Sequence, residues 1–151
     1  MNSDARRSSQ KIPSERIKEF AVQAGHDICN PLANILGFCE ILLAQVEAPG
    51  AEYLKVGLKA VERTVTQMIA DLKQVLNPDR TPPASAPEVK ALQGRLQPQA
   101  AQILRTTQLL LPKAGSVKDG IFREDLSRMC DSAQRAGHLI DTRLSLYPSR
   151  P

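Results

Sequence analysis

The chain has no tryptophan, and aromatic residues make up only 3% of its 151 positions. A core without large rings must be filled by Leu, Ile, Val and Ala, the side chains of helix-on-helix packing. Long apolar runs are missing as well. The longest, Ile41–Ala44 and Leu109–Leu111, fall far short of the roughly 20 residues of a membrane-crossing helix. The opening stretch MNSDARRSSQKIPSER lacks the apolar segment of a secretory signal, and residues 1–12 read as a disordered polar tail. Cys29, Cys39 and Cys130 form neither a CxxC pair nor an even framework, which excludes a disulfide scaffold and fits reduced thiols in the cytoplasm. His26 and Cys29 share a helix face, but no further Cys or His is in phase with them, so no metal site is expected. The net charge is +4, yet Lys and Arg alternate with Asp and Glu and stacking aromatics are scarce. Nucleic acid is therefore not an expected partner, nor is a membrane.

What is present is heptad-like periodicity. Ile17, Ala21, Ala24, Ile28, Leu32, Ile35, Cys39, Leu42 and Val46 follow one another at steps of four and three, with one extra four beside Pro31. This is a helical seam with a stutter. Pro and Gly at 49–50 end it, and Leu54, Leu58, Val61, Val65, Met68, Leu72 and Val75 begin a second seam. Two long helices joined by a short turn lie antiparallel, so residues 13–76 read as one helical hairpin. Residues 77–87 hold four prolines and read as a semi-stiff linker.

The pattern then returns over 88–147. Val89, Leu92, Leu96, Ala100, Ile103, Thr107 and Leu110 each lie 68 residues after a member of the first seam, stutter included. Leu126, Cys130, Ala133, Gly137, Ile140, Leu144 and Tyr147 lie 72 residues after the second. An internal duplication of hairpins is the expected reading. The fold expected is all-α, a pseudo-dimeric four-helix bundle with helices near 14–46, 52–76, 87–111 and 120–146. Ala100, Thr107, Ala133 and Gly137 give the second hairpin the smaller seam residues, so it is expected to pack by close approach rather than by bulk.

The segment His26-Asp27-Ile28-Cys29-Asn30-Pro31-Leu32 carries the chemistry. Since Ala24 and Ile28 face the seam, His26 is predicted on the solvent side, with Asn30 one turn on and Ala33 and Gly37 continuing the stripe. Pro31 removes a backbone N–H from the helix at a cost of roughly 3 kcal/mol and predicts a kink beside the carbonyl of Asp27.

This string resembles the phosphoacceptor box of the HisKA class of sensor histidine kinases, in the dimerisation and histidine-phosphotransfer domain. Ile35-Leu36-Gly37-Phe38-Cys39-Glu40-Ile41-Leu42-Leu43 and Met68-Ile69-Ala70-Asp71-Leu72 are similar to the family's continuation and second helix. The resemblance covers residues 13–76 well and 88–147 only as a degenerate echo. It implies phosphorylation of His26 on a ring nitrogen, with Asp27 orienting the imidazole and assisting proton removal. It implies that Asn30 positions water for hydrolysis of a partner's phospho-aspartate, and that Ala33, Gly37 and Phe38 meet the partner. The residue types suit these roles: neutral imidazole is a nucleophile near neutral pH, a carboxylate can fix its tautomer, and an amide orients water without repelling phosphate.

No Gly-rich loop or βαβ pattern for nucleotide binding occurs, so self-phosphorylation from ATP is not expected, and no cofactor is. In the second hairpin Gly94, Arg95 and Pro98 stand where the first has His26, Asp27 and Asn30. That hairpin cannot repeat the chemistry. The expected function is phosphotransfer, or accessory phosphatase action, between His26 and the receiver domain of a response regulator. The competing readings are a non-catalytic adaptor that scaffolds or inhibits a receiver or a sensor kinase, and a helical module outside signalling. A monomeric pseudo-dimer is the expected assembly, with a homodimer through residues 13–76 as its rival.

Overall fold

The computed structural model describes residues 14–46, 51–116 and 120–148. Helix α1 spans Ser14–Gln45, α2 Glu52–Val75, α3 Ala86–Leu110 and α4 Gly120–Ser145, with a 3-10 turn at Leu111–Ser116 between the last two. Each helix end lies within one residue of its expected position, and no strand occurs among the described residues. The tail expected at 1–12 and the first inter-helix turn lie outside the described residues.

α1 packs on α2 and α4, and α3 packs on the same two helices, so the helices follow one another around the bundle in chain order. Cross-helix contacts give the directions. Phe20 on α1 meets Tyr147 just beyond α4 edge to face, with ring centroids 5.7 Å apart. Further along α1, Asp27 meets Arg143, so residue numbers fall on α4 as they rise on α1. Gln93 and Gln97 on α3 reach Ser145 and Asp141 on α4 in the same antiparallel sense. The product is an all-α, up-down-up-down four-helix bundle closed within one chain.

The seams form its interior. On α1 the buried residues include Ala21, Ala24, Ile28, Leu32, Ile35, Cys39 and Leu42, and on α3 Val89, Leu92, Leu96, Ala100, Ile103, Thr107 and Leu110. The stutter appears in three dimensions, since Ile28 and Leu32, four residues apart, are both fully enclosed. Each such aliphatic side chain contributes about 1.5–3 kcal/mol through burial. Thr107 is accommodated because its hydroxyl donates to the Ile103 carbonyl at 2.7 Å, leaving no unsatisfied polar group.

The second hairpin is bulkier than its seam suggests. Phe122, Met129 and Ala136, off the expected seam, are buried on α4, because that helix turns a wider face inward than an a/d stripe. Close approach also occurs: a Cβ added at Gly137 would lie 3.9 Å from that of Ala100.

The linker is two residues shorter than expected, because Ser85 starts α3. Its hydroxyl accepts the Glu88 N–H, and the Glu88 carboxylate accepts the Ser85 N–H, each at 3.3 Å. Pro87 falls in the first turn, where no N–H is required. Arg80 pairs with the same carboxylate at 2.5 Å. The Tyr147 hydroxyl donates to the Ala84 carbonyl at 2.6 Å, fastening the linker to the end of α4.

Candidate functional site

His26 projects from α1 directly opposite the core, between buried Ala24 and Ile28, and is exposed. Asn30 and Ala33 are exposed on the turns that follow. Gly37 continues the stripe, and a Cβ built there would meet nothing within 4 Å. Phe38 differs from its companions: it is half-buried and packs against the core, so only part of its ring is open to a partner. Pro31 is buried inside α1, which continues unbroken through it. Lacking an N–H, it leaves the Asp27 carbonyl without its usual helical donor.

Two exposed apolar residues, Val22 and Ile41, extend this strip at either end. From Ile28 to Gln45 the only charge on α1 is Glu40. This composition makes α1 long and apolar enough to cross a membrane, by length and composition alone. In the bundle, its inward residues form the core and its outward ones are mostly small or uncharged.

Asp27 turns toward α4. Its Oδ2 lies 3.2 Å from Nε of Arg143, and its Oδ1 accepts the Gln23 amide at 2.8 Å. Both carboxylate oxygens are thus engaged away from His26. Among the described residues His26 itself has no hydrogen bond or ion pair, and the residue is exposed.

On its other side His26 borders an open groove of about 510 Å³ between α1 and α2, lined also by Gly25, Cys29, Leu72, Lys73 and Asn77. Burial pushes the Cys29 thiol up, and the nearby Lys73 ammonium partly offsets this. Cys39, enclosed in the core and near Glu62 and Glu40, is pushed up to about 12, and burial raises Cys130 as well. These thiols are protonated at neutral pH and are poor nucleophiles.

His26 therefore shares a groove with Lys73 of α2, while its neighbour Asp27 is paired with Arg143 of α4. Sequence reading missed both, since each is an ordinary polar neighbour of a seam residue until the bundle's register is known. A further basic group, Arg135, borders a small depression with Asn30, Asn34 and Asp131. Among the described residues, no three His, Cys, Asp or Glu side chains gather as a metal site. No protein-family model, no curated protein and no solved structure matches the chain.

Proposed function

We propose that this chain is a histidine phosphotransfer protein of a two-component phosphorelay, or an accessory phosphatase in one, working on the receiver domain of a response regulator in the cytoplasm. The reading rests on one observation above all. An exposed imidazole, His26, without a partner among the described residues, stands on the outward face of α1, with Asn30 one turn on and an uncharged, mostly small-residue strip beyond.

Phosphoryl transfer asks little covalent chemistry of the protein; it asks for in-line approach and for compensation of charge. An unprotonated ring nitrogen of His26 attacks the phosphorus of the receiver's aspartyl phosphate. The N–P bond forms as the P–O bond breaks, the aspartate carboxylate leaves, and the ring's N–H proton passes to solvent. Ala33 and Gly37 let a receiver helix lie close to α1, with Val22 and Ile41 as apolar contacts. In the hydrolytic direction Asn30, through its amide, orients the water. A single chain forms the bundle, and only one of its hairpins carries the box, so the stoichiometry is one phosphoryl group per monomer.

A second reading has an observation of its own. Asp27 is engaged by Arg143 and Gln23 rather than by His26, which suits an adaptor that docks a receiver or a sensor kinase without accepting phosphate. Mixing the protein with phosphorylated receivers separates the two. Phosphotransfer gives an acid-labile, alkali-stable label on this chain, whereas tight binding with the label retained on the receiver establishes the adaptor.

A further inference from the structure

The groove beside His26 has a composition that the sequence motif does not account for. Its walls are mainly apolar, with Ala21, Leu72 and Leu76 among them, and its lining contains one cation, Lys73, and no carboxylate. Asp27, the nearest acid in sequence, is held on the opposite flank of α1 by Arg143. Among the described residues no carboxylate pairs with Lys73, whereas Arg80, Arg128 and Arg143 each have an acidic partner. Asn77 also lines the groove. Its Oδ1 accepts the Asp79 N–H at 2.9 Å, so the part of its amide left to bind a ligand is the NH₂ donor.

A histidine, an unpaired ammonium and an amide donor thus share one open groove without an anion. We propose that this groove is a phosphoryl-binding site in which Lys73, with Asn77, holds the phosphoryl group carried by His26. The inference rests on the reading of His26 as the phosphoacceptor. A phosphoryl group brings close to two negative charges at neutral pH, and a lysine on a flexible stem serves such a group as a mobile point charge. Lys73 is a positioning residue here: it stabilises charge on the group being transferred and takes no part in bond making.

Phosphoramidate tests this without any partner protein. An unprotonated ring nitrogen of His26 attacks its phosphorus, the P–N bond to ammonia breaks, ammonia departs, and the ring's N–H proton goes to solvent. His138, also exposed, on α4, is the internal control, because it borders a different groove that contains Asp141 and no lysine. Site-resolved mass spectrometry should show His26 modified faster than His138 in the wild type. Lys73→Gln should slow His26 by roughly fivefold, the scale of one exposed charge-assisted contact, and leave His138 unchanged. Lys73→Arg should restore most of the rate, and circular dichroism should be the same for all three proteins. Equal rates at His26 in the wild type and Lys73→Gln, or failure of His26 to react at all, would overturn the proposal. Because no receiver is involved, these results are distinct from failure of transfer between His26 and a receiver.

Discussion

Arg143 of α4 holds the carboxylate of Asp27 on α1, Nε to Oδ2 at 3.2 Å, one residue from His26. The pair ties the first helix to the last and fixes which way the acid beside His26 points. Both side chains are partly exposed, so its worth to stability is under about 1 kcal/mol. Urea denaturation of Arg143→Ala should show a loss of that size. The same change frees Asp27 to turn toward the imidazole, so phosphate acceptance should be kept or rise. Because Arg143 and Gln23 hold the Asp27 carboxylate away from His26, Asp27→Asn should leave single-turnover acceptance nearly unchanged. A loss of about 10²-fold, the scale of general-base catalysis, would show instead that the carboxylate reaches the imidazole during transfer.

Asn30 lies one turn beyond His26, exposed on the same line. If Asn30 orients water as proposed, Asn30→Ala should leave acceptance by His26 intact and slow hydrolysis of the receiver's aspartyl phosphate. Release of inorganic phosphate, followed separately from label on this chain, checks the distinction.

Ile28 and Gly37 share α1 but not its environment. Ile28 is fully enclosed, so Ile28→Ala should cost about 2–5 kcal/mol through lost burial and the cavity it leaves. Gly37 faces open space, so Gly37→Leu should leave the melting temperature nearly unchanged while blocking receiver docking. Thermal melts together with a binding titration against a receiver test both statements.

The helices and most of the core were legible because the seam residues follow one another at steps of three and four, and the hydrophobic effect acts on that spacing directly. His26's exposure followed from the same arithmetic: a residue midway between Ala24 and Ile28 has to point outward. Phe122 and Met129 were missed because α4 buries a face wider than one stripe. The linker expected at 77–87 gives its last two residues to the start of α3, where Ser85 and Glu88 form a capping box. Lys73 and Arg143 were not legible at all. The placement of Lys73 beside His26 and of Arg143 against Asp27 depends on how α2 and α4 slide along α1, and no local pattern encodes that register.

Glu88 gives the fold a pH dependence of known sign. The hydrogen bond from Arg80 and then that from the Ser85 N–H hold its carboxyl below the ordinary value of 4.5. A depressed native pKa stabilises the ionised form. The contribution is therefore complete above 4.5 and is lost as the pH falls through the lower native value. Urea midpoints for the wild type and Glu88→Gln should differ near neutrality and converge on acidification below 4.5. A constant difference across that range would contradict the assignment.

The central claim is that His26 is the residue that exchanges phosphate with a receiver. The most direct measurement is transfer from a phosphorylated receiver to the wild type, His26→Ala and His138→Ala, with the modified residue identified by mass spectrometry. The wild type and His138→Ala should each take up one phosphoryl group per chain, on His26. His26→Ala should take up none while its circular dichroism stays that of a four-helix bundle, since an exposed side chain adds little to stability. Transfer to His26→Ala at the wild-type rate would contradict the account.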